Sequence, residues 1–348
     1  MIEQRAEERP ATAPAGTIAG VVTIPQGQGD QIPARRGLRA PTFERVRPFL
    51  HNRKAVAGAL MLLFFFAVAI LAPVISPGDA NDIVSRRHLA PSSEHWFGTT
   101  GAGQDVFDQT IWGARQTLGV GIMVGILTTM LSALIGMTAG YFGGKIDDLL
   151  SLITNVFLII PALPLLVVLV GFLGSGGSWY FIAVLTVTSW AWGARVLRSQ
   201  TLSLREKDFV SAAEVSGEST FRIIFVEIFP NMTSLAAANM FGTTIYAIGA
   251  LSALQFLGLG NPSVISWGTN LYWAGNSGAL LTGAWWTVIP SGLAIALVAF
   301  AFALINYAVD EVTNPRLRAQ RLASDALRKS GRSLRKAGRA TPVVRHAA

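Results

Sequence analysis

The sequence of 348 residues has no cysteine and few charged residues. Without cysteine, disulfides and thiolate metal sites are excluded. Charged residues make up 14% of the chain, whereas about 25% is typical of soluble domains. Hydrophobic residues make up 51%, and the mean hydropathy is +0.46. Long uncharged runs that reach the length of a membrane helix accompany this composition. We therefore predict an all-α integral membrane protein.

Several signatures of chemistry are also missing. No Gly-x-x-x-x-Gly-Lys-Ser/Thr motif is present, so ATP is not expected to bind here through a phosphate loop. The apolar runs contain no carboxylate pair, histidine cluster or nucleophile–base set. The histidines form no helical i, i+4 ligand pair; they are His51, His88, His95 and His346. We expect no metal, no cofactor and no enzymatic activity in this chain, and any energy from ATP must come from a partner.

Basic residues are concentrated at the two ends. Nine of the 28 lysines and arginines lie up to Lys54, and ten lie from Arg316 onward. Basic flanks stay on the cytoplasmic side of a membrane, so this distribution favours a topological role over nucleic-acid binding. We predict a cytoplasmic, disordered tail over residues 1–48 and a basic cytoplasmic tail over 311–348, with a second possible role in contacting anionic lipid.

Residues 49–310 contain enough uncharged sequence for six spans, and an even number places both basic ends on one side. Between the first two spans, a mixed polar segment from Pro77 to Arg115 is expected on the outer side. An outer loop is expected at about 257–284. The predicted spans are Ala55–Ile75, one within Gln116–Gly144, two within Leu149–Ala194 divided by a turn at 171–178, Met232–Phe256 and Trp285–Tyr307.

Local residues refine this arrangement. Lys145, Asp147 and Asp148 are expected in a short inner turn, and Pro161 and Pro164 should bend the third span. The second span also carries two small-xxx-small patterns, which allow close approach of helix backbones. They suit packing within the bundle or a dimer face, and they are Gly121–Gly125 and Gly136–Gly140.

The segment Lys207–Pro230 is a charged island between two long apolar regions, in a loop at about 205–231. Its pattern predicts a short helix to about Ser216, ended by Gly217 in the left-handed conformation. Ser219 or Thr220 can cap a second helix that runs to Phe229 and stops at Pro230.

This 207–230 segment is predicted to be a docking element. Small residues leave room for another protein, and they are Ser211, Ala212, Ala213, Ser216 and Gly217. Apolar anchors surround them, and they are Phe209, Phe221, Ile224, Phe225 and Ile228. An ordinary cytoplasmic hairpin is the alternative. A DNA-binding helix-turn-helix fits poorly, because five acidic residues outnumber three basic ones from residue 205 to 227. No nucleic-acid partner is expected.

The 207–230 segment resembles the cytoplasmic "EAA" loop of ATP-binding-cassette importer permeases. The family pattern is Glu-Ala-Ala, three residues, Gly, and an Ile-x-Leu-Pro that ends thirteen residues after that Gly. Four residues fit it, namely Ala212, Ala213, Gly217 and Pro230. Three depart from it, with Ser211 in place of Glu, Glu227 in place of Ile and Phe229 in place of Leu.

Three further segments resemble the dipeptide/oligopeptide branch of that family. Residues 95–106 are similar to its His-Pro-Phe-Gly-Thr-Asp-x-x-Gly-Arg-Asp-Val, although Thr100 and Gln104 replace the usual Asp and Arg. The other two matches are Phe256–Gly260 with Ser266–Gly268, and the closing Asn314–Arg318. Together the resemblance covers about Arg45 to Arg318.

The resemblance implies a six-span permease subunit of the bacterial inner membrane, most similar to the "C" member. Its implied partners are a second homologous permease, two cytoplasmic ATPases that bind ATP and Mg²⁺, and an extracytoplasmic binding protein that delivers di- or oligopeptides. The implied ATPase-coupling residues are Ser211, Ala212, Ala213, Glu214, Gly217, Phe221 and Pro230. Alternatives are the import of oligosaccharides or another polar solute, and an ATP-independent channel or membrane scaffold.

Overall fold

The computed structural model describes residues 52–173 and 177–313. Within these ranges the regular structure is helical, and the only β-type pairing is an isolated bridge between Thr99 and Asp105. The predicted tail over 1–48, most of the tail over 311–348 and the closing motif 314–318 lie outside the described residues. The α-helices, numbered α1 to α10, are Arg53–Ile75, Val106–Phe142, Gly144–Ile159, Ala162–Leu173, Ser178–Arg205, Asp208–Val215, Thr220–Arg222, Thr233–Phe256, Trp267–Asn276 and Ile289–Thr313.

Five helical stretches are long and apolar enough to cross a membrane, and they are Arg53–Ile75, Val106–Phe142, Ser178–Arg205, Thr233–Phe256 and Trp285–Val309. A sixth candidate is the pair Gly144–Ile159 and Ala162–Phe172, whose axes differ by 87°. If this bent pair is counted as one span, the described residues contain the six spans that the sequence predicts.

Helix α2 begins ten residues before the predicted start of the second span. Asp105 caps it by accepting a hydrogen bond from the Phe107 N–H at 2.7 Å. The helix has 37 residues, which corresponds to roughly 55 Å at 1.5 Å per residue. The hydrocarbon core of a bilayer is only about 30 Å thick. The uncharged run from Gln116 therefore identified only the apolar part of α2, and the helix begins before that run.

The predicted inner turn between the second and third spans is shorter than expected. Gly143 and Gly144 both have positive φ, at 66° and 53°, a conformation that glycine adopts without a steric penalty. Helix α2 ends at Phe142 and α3 begins at Gly144, so Gly143 is the only residue between the two helices. Lys145, Asp147 and Asp148 therefore belong to the start of α3 instead of the turn, which corrects the prediction.

The bend in the third span lies where proline predicts it. Ile160 is extended, with φ −70° and ψ 124°, because the ring of Pro161 disfavours the helical conformation of the preceding residue. Helix α4 starts immediately afterwards, at Ala162. The prediction of a bent span is confirmed, and Pro161 is its physical cause.

Both glycine pairs of α2 serve packing within the chain. A β-carbon at Gly136 would overlap the Ala194 carbonyl, and one at Gly140 would lie 2.8 Å from the Arg198 carbonyl oxygen. Gly121 and Gly125 approach α8 in the same way, against Ile248 and Thr244. Helix α2 therefore packs closely on α5 along one part of its length and on α8 along another, which supports the bundle interpretation of these patterns.

The loop predicted at 257–284 contains helix α9. Ser266 and Thr269 form a reciprocal capping box at its start. Trp267 is fully buried, and its indole N–H donates to the Thr110 carbonyl of α2 at 3.0 Å. The composition of 257–284, rich in glycine and asparagine, predicted only a loop. The helix was missed because the contact that anchors it comes from Thr110, which is distant in sequence.

Candidate functional site

The first half of the 207–230 segment is helix α6, and it ends as predicted. Gly217 has φ +76°. Its N–H donates to the Glu214 carbonyl at 3.0 Å, and the Glu218 N–H donates to the Ala213 carbonyl at 3.1 Å. A β-carbon at Gly217 would have no neighbour within 4 Å. The turn therefore presents an open surface.

The second half of the segment differs from the single helix that was predicted. Ser219 caps it by accepting from the Arg222 N–H, and the α-helical part is only Thr220–Arg222. A π-helix follows over Ile223–Ile228, then a 3₁₀ turn over Phe229–Asn231. Pro230 lies inside that turn and does not end the helical course. Because proline has no N–H to donate to the preceding turn, a change in the hydrogen-bond pattern here is physically expected.

One face of the segment is buried against the bundle. Val210, Ile223 and Ile228 are almost fully buried. They belong to an apolar cluster that includes Ala133 and Met137 of α2, Leu197 of α5 and Met232, with Ala213 packed against it. These contacts anchor the segment to two spans at once.

The other face is exposed. Phe221 is 70% exposed although it is aromatic, and its ring lies 4.5 Å from that of Phe225, measured between centroids. Val215 is 90% exposed. Of the predicted coupling residues, Ala213 is half-buried and the others are exposed, namely Ser211, Ala212, Glu214, Gly217, Phe221 and Pro230. An exposed apolar and small-residue surface of this kind suits a protein partner.

Glu214 also has a partner within the chain. The Tyr141 hydroxyl, at the end of α2, donates to Glu214 Oε1 at 3.0 Å. The guanidinium of Arg205 lies 5.9 Å from the centre of the Tyr141 ring. Sequence reasoning missed Tyr141, because it lies 73 positions from Glu214 and no local pattern links the two.

A second missed interaction joins α3 to α5. Arg198 donates to Asp147 through Nε at 2.5 Å and through Nη2 at 2.6 Å. Ser151 donates to the same carboxylate at 3.0 Å. A bidentate pair fixes orientation as well as distance. We predicted only a short inner turn for Asp147, because no local pattern links it to Arg198, 51 positions away.

The segment before α2 forms a compact polar structure. His95 Nδ1 lies 2.7 Å from Asp105 Oδ2, and the buried Thr99 hydroxyl donates to the Arg86 carbonyl at 2.6 Å. Where the related pattern has Asp and Arg, the Thr100 hydroxyl donates to Gln104 Oε1 at 3.4 Å. A neutral contact therefore occupies the positions of a charged pair.

A cavity of about 740 Å³ lies beside the break between α3 and α4. Helices α5 and α8 provide most of its other walls, and Asn306 of α10 also contributes. Its hydrogen-bonding side chains are neutral, and they are Thr188, Ser189, Trp192, Asn239, Thr243, Tyr246 and Asn306. Sequence reasoning did not identify this cavity, because four separate parts of the chain form it.

These features define a multi-pass helical membrane protein with an exposed helical segment at one end of its bundle. The chain belongs to the family of binding-protein-dependent transport system inner membrane components, whose model matches residues 132–319. A second model, the N-terminal transmembrane domain of oligopeptide transport permease C, matches residues 43–91.

Relatives in several bacteria support the assignment. The chain is 35% identical over 281 residues to the dipeptide transport system permease protein DppC of Bacillus subtilis, covering 80% of this chain and 86% of the relative. It is 30% identical to the oligopeptide transport system permease protein OppC of the same species, covering 78% and 88%. The corresponding OppC of Mycobacterium tuberculosis is 31% identical, covering 74% and 88%. The chain is thus a transport subunit of the inner membrane and not an enzyme.

Proposed function

We propose that this chain is one permease half of an ATP-driven importer of di- and oligopeptides. A second, homologous permease completes the translocation path, and an extracytoplasmic binding protein delivers the solute. Two cytoplasmic ATPases bind ATP and Mg²⁺, which this chain does not. The peptide class is supported by the relatives, which are dipeptide and oligopeptide permeases.

One observation carries the proposal: the 207–230 segment is exposed on one face and anchored on the other. Its small and apolar surface is free to receive an ATPase, while Val210, Ile223 and Ile228 pack against α2 and α5. A close-packed interface transmits displacement, because interiors have low compressibility. Closure of the ATPase pair would therefore move these spans together with the segment.

The proposed orientation places the 207–230 segment and both termini in the cytoplasm. The polar structure around His95 and Asp105, together with α9, then faces outward, where the binding protein docks. The basic ends support this arrangement through the preference of lysine and arginine for the cytoplasmic side.

The test is uptake of labelled di- and oligopeptides into vesicles that contain this chain with its co-encoded permease, ATPases and binding protein. We expect accumulation that requires ATP and the binding protein. ATPase stimulation by a sugar-loaded binding protein, without peptide uptake, would favour the oligosaccharide alternative. Solute flux that depends on neither ATP nor partners would contradict the importer and favour a channel.

A further inference from the structure

The cavity beside the α3–α4 break is bounded by irregular backbone within a candidate membrane span. Ile160 and Pro161, where the helix is interrupted, both line it. Non-helical backbone at membrane depth is tolerated only where it is buried in protein or lines a water-filled cavity. The break therefore indicates a space filled by water or by protein and not a lipid-filled crevice.

Two buried polar atoms belong to residues that line the cavity. Ser189 Oγ and Asn306 Oδ1 are inaccessible and have no hydrogen-bond partner among the described residues. Buried polar atoms are normally paired, and a lipid chain offers no partner. Neither atom is accessible from the cavity in this conformation, so a polar occupant would reach it only after the Ser189 or Asn306 side chain rotates toward the cavity.

The wall also limits the chemistry of that occupant. None of the residues that line the cavity is charged, and Asn239, Thr243 and Asn306 offer amide and hydroxyl groups. An asparagine amide both donates and accepts hydrogen bonds, as a peptide unit does. A fixed charge in a low-dielectric site would attract one sign of solute and repel the other, and this wall contains none.

We propose that this cavity is a station of the translocation path that binds the main-chain amides of the transported peptide, whatever the charge of its side chains. The proposal rests on the peptide-import function above. A volume of about 740 Å³ lies within the range of about 300–1,000 Å³ for small-ligand pockets, which suits a short peptide.

Gly242 offers a way to fill the cavity without disturbing the fold. It lines the cavity, and a β-carbon there would meet nothing within 4 Å. Leucine at this position should therefore project into the cavity. Gly292 in α10 is equally open and is not part of the lining, so Gly292→Leu is the matched control.

Uptake of labelled trialanine by the complete importer is the first measurement. We expect Gly242→Leu to lower ATP-dependent uptake at least tenfold and Gly292→Leu to change it less than twofold, with both variants co-purifying with the other subunits. Normal uptake by Gly242→Leu would overturn the cavity proposal alone. Absence of uptake by the unmodified importer would instead count against the function on which it rests.

Thiol labelling provides the second measurement, because the chain has no native cysteine. In the complete importer, Thr243→Cys should react with both a cationic and an anionic methanethiosulfonate reagent, and trialanine should slow both reactions. Leu293→Cys, exposed at 53% on α10 and outside the cavity, is the control and should stay unreactive in lipid.

Three results would overturn the proposal. Reaction of Thr243→Cys with only one sign of reagent would show that the path selects by charge. No reaction with either reagent would show that the cavity is closed to water. Failure of Gly242→Leu to co-purify with the second permease, while Gly292→Leu does so, would show that a partner side chain fills the cavity.

Discussion

Gly217 shows how one residue combines two roles at the residue scale. Its φ of +76° suits glycine, and the surface above it is empty. The backbone role alone would be met by asparagine, which adopts the left-handed conformation more readily than other non-glycine residues. The docking role would not be met, because any side chain would occupy the surface that an ATPase has to approach.

We therefore expect Gly217→Asn to keep the chain folded and inserted but to reduce ATPase retention and ATP-dependent uptake several-fold. The measurement is co-purification of the ATPases followed by vesicle uptake. Gly283→Asn is the matched control, since Gly283 has φ +78° and also has open space around it, outside the 207–230 segment. Equal ATPase retention in the two variants would mean that Gly217 serves the turn only.

At the scale of elements, Trp267 is the largest buried side chain of α9. Trp267 packs edge-to-face on Phe65 of α1 with ring centroids 5.9 Å apart, and its indole N–H donates to the Thr110 carbonyl of α2. Gly113 permits this approach, since a β-carbon there would lie 2.9 Å from the indole ring. One side chain thus joins three helices.

Trp267→Ala should destabilise the subunit by about 3–5 kcal/mol, the usual cost of truncating a buried tryptophan. A lower thermal unfolding midpoint of the purified importer in detergent is the measurement. Trp273→Ala, on the same helix but with half of its surface exposed, is the control and should lower the midpoint far less. Equal effects would show that α9 is not anchored through Trp267.

At the scale of the whole molecule, six spans with the 207–230 segment inside predict opposite sides for two highly exposed residues. Val215 is 90% exposed in that segment, and Leu281 is 94% exposed after α9. Because the chain lacks cysteine, each can carry the only thiol.

In intact cells we expect a membrane-impermeant maleimide to label Leu281→Cys, and to label Val215→Cys only after the membrane is opened. Labelling is measured by gel shift. The reverse pattern would place the 207–230 segment outside and contradict ATPase docking. Labelling of both variants in intact cells would place the two positions on the same side of the membrane. That result would contradict the odd number of spans between them.

The sequence alone determined the class, the approximate positions of the spans and the location of the 207–230 segment. Long uncharged runs predict membrane helices, because a charged side chain inside the bilayer is costly and such residues are therefore rare in spans. Gly217 and Pro161 predict local backbone geometry directly. Glycine adopts positive φ readily, and proline disfavours the helical conformation of the residue before it. The family resemblance depended on contiguous motifs, which a sequence displays directly.

Only the tertiary structure decided the contacts between distant parts of the chain. The pairs Tyr141–Glu214 and Asp147–Arg198, the burial of Trp267 and the wall of the cavity each join residues tens to more than a hundred positions apart. No local periodicity encodes such pairings, because they depend on how close-packed helices bring their faces together. That packing turned part of an apparent loop at 257–284 into an anchored helix. It also left a cavity, lined by apolar and neutral polar residues, beside the break in the third span.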